Sequence, residues 1–207
     1  MSNQLRQHAE QQFAEELKAL AKNESKPRPP NWKLSPWAVA TYLLGGTLDD
    51  GTVITPKYIG DRRLIEVAIA TLATDRALLL LGVPGTAKTW VAEHLSAAIS
   101  GERTLLVQGT AGTSEESLRY GWNYAELLAK GPSAKALVPS PMMCAMRDGK
   151  IARVEELTRI PADVQDTPST ARGNDPARSW CRGRHECFCE RSIRKVHCRS
   201  LFPAPNV

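Results

Sequence analysis

A chain of 207 residues with 42% hydrophobic and 24% charged positions has room for one ordinary domain plus appendages. No stretch approaches the roughly 20 apolar residues of a spanning helix, and the N-terminus has no basic head followed by an apolar run; this argues against a membrane anchor and for a cytoplasmic location. The net charge of +5 is no argument for nucleic acid, because residues 168–207 hold 8 Lys or Arg against 3 Asp or Glu and the first 167 are neutral.

In chain order, Leu5, Ala9, Phe13, Leu17 and Leu20 fall on one face and predict an amphipathic helix to Lys22. Lys26, Pro27, Arg28, Pro29 and Pro30 end it in a linker, since proline removes backbone donors and restricts its predecessor. Residues 1–30 therefore read as a helical extension. Ser35 followed by Pro36 is an N-cap and then a residue suited to the first helical position, predicting a helix that stops at Gly45 and Gly46 and docks through Trp37 and Leu43. Asp61 to Ala73 places Leu64, Ile65, Ala68, Ile69 and Leu72 on one packed face.

Ala77 to Leu81 is a continuous apolar run that predicts a strand. A glycine-containing loop follows, and Val91, Leu95 and Ile99 give Trp90 to Ile99 helical spacing. After a stop at Gly101, Thr104 to Gln108 predicts a second strand. This order implies an α/β fold, a parallel sheet flanked by helices. Thr113 and Glu116 have the spacing of a capping box, residues 131–141 read as a Pro-, Ser- and Gly-rich loop, and Lys150 to Val154 as a short strand. Pro161 then opens a helix through Val164 that Pro168 cuts short.

The segment GVPGTAKT, comprising Gly82, Val83, Pro84, Gly85, Thr86, Ala87, Lys88 and Thr89, has the logic of a phosphate-binding P-loop. Small residues let the backbone wrap an anion, and successive amides plus a helix N-terminus favour negative charge. Lys88 is placed to reach β- and γ-phosphates, and the Thr89 hydroxyl to bind Mg2+. The competing reading is a glycine-rich turn at a helix start. Hydrolysis also needs a group on the metal and one orienting water, for which Glu155 and Glu156 are the candidates. Their alternative is a solvated acidic pair beginning a helix.

GVPGTAKT, followed by VEELTRIPADVQ, resembles the MoxR-like branch of the AAA+ ATPases over about Tyr58 to Thr167. The resemblance implies a partial P-loop NTPase core at residues 31–167, with the P-loop at 82–89 and a Walker B-like segment at 151–156. Glu155 would take the magnesium-associated position and Glu156 the water-polarising one, with Arg159 and Pro161 completing the motif. Two departures stand out: Ala87 replaces the usual glycine before the lysine, and Glu155 stands where aspartate is more typical. TPKYIG lies where the family contacts adenine, so Tyr58, Ile59 and Gly60 are further nucleotide-site candidates, against a simple turn. The resemblance also implies ATP as ligand, a homo-oligomeric ring, and a chaperone-like role maturing client proteins beside a partner with a von Willebrand A domain.

The sensor, arginine-finger and lid segments of a complete member are not recognisable after Thr167, so the chain is expected to be truncated after the Walker B region, with hydrolysis less secure than binding. The basic tail, 168–207, is expected to be disordered. Cys181, His185, Cys187, Cys189, His197 and Cys198 have poor spacing for zinc, nucleic-acid contact is a further option, and the abrupt change of composition after Thr167 suggests a frame or gene-boundary error. Two other functional classes stay open: a small-molecule P-loop kinase and a non-enzymatic interaction fragment.

Overall fold

The structure, a computed structural model, describes residues 7–74 and 76–165. Leu5, Pro168 and the tail cysteines and histidines lie outside them. The N-terminal helical segment is two pieces, α1 (Ala9–Gln12) and α2 (Ala14–Lys22), joined at Phe13, whose φ of −113° leaves the helical region. It packs on the core: Leu20 is buried, and Phe13 and Leu17 lie against the central cluster.

Helix α3 (Pro36–Leu44) begins as its Ser-Pro signal requires, the Ser35 hydroxyl accepting from the Ala38 amide at 3.3 Å. Val39, Tyr42 and Leu43 are buried, whereas Trp37, expected to dock the helix, is half exposed. A two-residue antiparallel ribbon follows, β1 (Gly46–Thr47) and β2 (Val53–Ile54). Helix α4 (Arg62–Ala73) is capped by Asp61, whose carboxylate accepts from the Arg63 amide at 2.9 Å. It buries Ile65, Ala68 and Ile69 and leaves Leu64 partly exposed at the rim of the predicted face. These helices meet α5 (Lys88–Ser100), which supplies Val91, Leu95, Ala98 and Ile99 to one shared apolar cluster.

The second half is built on β3 (Leu106–Gln108) and, after α6 (Glu115–Leu118), β4 (Tyr120–Trp122), α7 (Tyr124–Lys130), β5 (Leu137–Pro139) and α8 (Pro141–Asp148), on β6 (Arg153–Glu155). Strands β3 and β6 pair in parallel, Leu106 opposite Arg153 and Gln108 opposite Glu155. Strands β4 and β5 form an antiparallel pair. A single 3-10 turn (Leu157–Arg159) leads into α9 (Ala162–Gln165), matching the helix expected after Pro161. The result is a partial P-loop NTPase fold, a parallel sheet element flanked by helices.

Three local expectations are corrected. Residues 77–81 have no assigned regular structure and belong to no strand pair among the described residues. Leu78 and Leu80 turn toward the core while Leu79 and Leu81 face out, the period-2 alternation of a strand whose ladder has no neighbour. The capping box is not formed, because the Thr113 hydroxyl accepts from the Thr110 amide at 2.8 Å and closes a turn after β3 instead. Residues 131–141 are not simply a loop: β5 lies within them and α8 starts at their end, with Ser140 accepting from the Met143 amide at 3.1 Å.

Candidate functional site

The apolar run and the helix start leave the glycine segment between them to turn the chain. It does so through a turn at Pro84–Gly85 and a bend at Thr86 before α5 begins at Lys88. Gly85 (φ 86°) and Ala87 (φ 56°) both occupy the left-handed region, and such alternation of backbone handedness turns successive amides to one side and makes an anion nest. Ala87 is the position where the resembled family has glycine, and its φ supplies the reason: a Cβ is strained there. The Lys88 ammonium folds back over the loop, donating to Gly82 O (2.8 Å), Val83 O (2.7 Å) and Thr86 Oγ1 (3.3 Å). Thr86 in turn donates to Val83 O at 2.9 Å. Thr89, one residue into the helix, is exposed.

The segment Tyr58, Ile59 and Gly60 reaches this loop through α5. The Trp90 indole N–H, two residues beyond Lys88, donates to Lys57 O at 2.6 Å. The amides of Lys57 and Tyr58 both donate to Leu43 O, at 2.8 and 3.0 Å, so the segment is held between the end of α3 and the start of α5. Tyr58 is partly buried against the core, whereas Ile59 is 93% exposed, an apolar side chain presented to solvent.

The acidic pair sits at the end of β6, which packs on α5. The Glu155 carboxylate accepts from the guanidinium of Arg153 at 2.8 Å. These two residues share a strand face, as positions i and i+2 must. Arg153 is buried, and burial pulls its guanidinium below the usual value while Glu155 and then Glu93 work against that. Glu156 leaves the strand with φ 53° and pairs with Arg159 at 3.2 Å. Thus both carboxylates bond arginines of their own segment, and Lys88 bonds its own loop. Among the described residues no group of three or more His, Cys, Asp or Glu could hold a metal ion. Magnesium is ordinarily held by one or two protein oxygens plus phosphates, so the Thr89 hydroxyl fits that chemistry, whereas Glu155 fits only once released from Arg153.

Three residues of this region were missed. Gly109, directly after β3, donates its amide to Glu155 O at 2.8 Å, and a Cβ there would stand 2.5 Å from Glu156 O. It carries the bend of the acidic pair. Arg153 lies inside the strand expected at 150–154 and drew no role there, although its two-residue spacing to Glu155 was visible. Lys57 was passed over because nothing in TPKYIG indicates that its side chain is buried.

The sequence pattern of the AAA domain (dynein-related subfamily) matches residues 77–184, more than half of the chain. That span runs past Thr167, where the composition changes, into residues outside those described. YehL of Escherichia coli (strain K12), an uncharacterized protein, is 47% identical over 154 residues, covering 74% of this chain and 42% of that relative. The chain thus spans less than half of the length of the curated relative it matches. No solved structure matches. Nucleotide binding is the property that AAA domains share, and the loop at 82–89 lies inside the matched span. The chain belongs to the AAA domain family, in its dynein-related subfamily.

Proposed function

We propose that this chain is an ATP-binding module of the MoxR-like AAA+ type, acting in the cytoplasm, in which residues 82–89 take the triphosphate together with magnesium. The observation that carries the reading is the loop itself: two left-handed residues, a helix starting at Lys88, and an ammonium group bonded to the loop's own carbonyls. In this reading Lys88 exchanges Gly82 O and Val83 O for β- and γ-phosphate oxygens, and the amides of Val83 and of Gly85 to Lys88 line the phosphates, Pro84 having no N–H to give. The Thr89 hydroxyl holds the metal, which when bound neutralises charge on the phosphates. Glu155 would be the second residue to hold it, once released from Arg153. Glu156 orients the attacking water, its Arg159 partner being exposed and easily exchanged. Tyr58, Ile59 and Gly60 contact the base.

Assembly into a ring, remodelling of client proteins and a von Willebrand A domain partner belong to the same proposal and rest on the MoxR likeness. Titration of ATP with magnesium into the full chain tests it. We expect saturable binding that Lys88→Ala abolishes, and a Glu156→Gln protein that binds ATP but turns it over roughly a hundredfold or more slowly, the scale of a lost general base. A parent protein with no ATP affinity would refute the reading, and phosphoryl transfer to a metabolite would move it to the kinase class.

A further inference from the structure

Lysine is almost never fully buried unless paired, yet the Lys57 side chain is 1% exposed. Its ammonium is ion-paired with the carboxylate of Glu16 on α2, and it donates to the Thr55 carbonyl and, at 2.9 Å, to the Thr55 hydroxyl. It also lies 4.4 Å from the Phe13 ring centroid and 4.9 Å from that of Tyr42. Three acceptors match the three protons of the ammonium group, and two aromatic faces complete its shell. Burial still pulls its pKa below the ordinary lysine value, with the Glu16 hydrogen bond opposing.

This is a site in which every surrounding element is committed. Glu16 accepts in addition from the Thr55 amide (3.3 Å) and hydroxyl (2.8 Å), so α2 grips the chain just after β2. The backbone of Lys57 is held at both ends, by Leu43 O and by the Trp90 indole. Trp90 packs on His94 at 4.4 Å between ring centroids, and His94 Nδ1 lies 2.9 Å from the Tyr42 hydroxyl. Phe13 of the N-terminal segment closes the cluster against both Tyr42 and His94. The residue after Lys57 is Tyr58, the first of the three base-side candidates.

We infer that Lys57 is a positioning residue of the nucleotide site, and that the N-terminal helix, through Glu16 and Phe13, fixes the distance between the base-side segment 58–60 and the P-loop helix. The inference rests on the nucleotide reading above and assigns a role to α1 and α2 beyond covering the core. An elongated base-side contact is felt only by a ligand that has a base. A ligand consisting of phosphates alone engages residues 82–89 and is indifferent to where Tyr58 sits.

The test is therefore a pair of titrations on the full chain with magnesium, one with ATP and one with inorganic tripolyphosphate. For Lys57→Met we expect ATP affinity to fall about tenfold, the equivalent of one well-placed contact, with tripolyphosphate affinity unchanged. Glu16→Gln should show the same selectivity, and adding it to Lys57→Met should cost little more, because the two act as one unit. Trp90→Phe, which removes the indole donor to Lys57 O and keeps an aromatic ring at that position, carries the test if Lys57→Met does not fold, and it too should lose ATP selectively. Equal losses for both ligands would make the cluster purely structural and overturn the inference, as would unchanged ATP affinity in folded variants. A parent that binds neither ligand would sink the nucleotide reading itself, whereas a parent that binds both, with variants losing both alike, would sink only the role of Lys57.

Discussion

Ala87 shows how one side chain can carry a strained conformation at a loop that the rest of the fold dictates. Its φ of 56° places a Cβ against the following carbonyl, a cost of roughly 1–2 kcal/mol for an L-residue, offset here because α5 must start at Lys88 for Val91 and Leu95 to reach the core. Ala87→Gly is expected to stabilise the protein by about 0.5–1 kcal/mol, since relief of the strain outweighs the extra freedom glycine gives the unfolded chain. Urea denaturation with both midpoints and slopes compared measures this, and a less stable glycine variant would show that the loop does not hold the left-handed conformation. Glu156 is strained in the same way, at φ 53°, and Gly109 beneath it lets the backbone pass at a distance no other residue permits. Such strain beside a candidate catalytic carboxylate is where functional constraint is expected to outweigh local preference.

At the scale of elements, the helix starts were the most legible part of this sequence. Ser35-Pro36 and Ser140-Pro141 are the same device, a hydroxyl that accepts from the third amide and a proline whose missing donor is not needed. The first was read as a helix and the second was not, because its surroundings are rich in turn formers and composition outweighed the local signal. Removing the hydroxyl with Ser140→Ala should cost about 1–2 kcal/mol, the upper part of the N-cap range, because the same oxygen also donates to Leu118 O at 2.9 Å in a buried setting. Thermal melts of the full chain would show it; no shift would mean that α8 is held by Met143 and Ala145 packing alone. Strands were harder to read. β4 and β5 are three residues each and, among the described residues, pair only with one another, so neither has the length or the alternation that identifies a strand by itself.

The whole molecule is joined between its halves by contacts distant in sequence, and one of them sets an acid limit on stability. Lys150, leading into β6, donates to Glu102, just past the end of α5, at 2.6 Å. This bond, then one from Thr104, holds the Glu102 carboxyl below its usual value, and the lysine is raised by the same contact. A carboxyl whose value falls on folding contributes stability that is present above its unfolded value near 4.5 and is lost as pH falls through the folded one. Glu102→Gln should therefore flatten the acid limb of the stability profile while costing well under 1 kcal/mol at neutral pH, because both side chains keep about a third of their surface in water. Denaturant midpoints collected from neutral pH down to about pH 3.5 would reveal the difference. A parallel limb in parent and variant would assign the acid sensitivity elsewhere.

The amino-acid sequence alone determined what depends on neighbours in the chain: the N-cap at Ser35, the apolar face of the helix from Asp61, the glycine-bearing loop before Lys88, the helix that follows it, and the spacing of Glu155 and Glu156 from Arg159 and Pro161. These are effects of a few consecutive residues, and a few consecutive residues suffice to read them. Only the tertiary structure decided that Ala77 to Leu81 lies without a strand neighbour among the described residues, that Arg153 claims Glu155, and that Lys57 is buried between α2 and the loop helix. Each of those depends on which surface comes to lie opposite, and a buried ammonium is stable only where distant segments deliver its acceptors together.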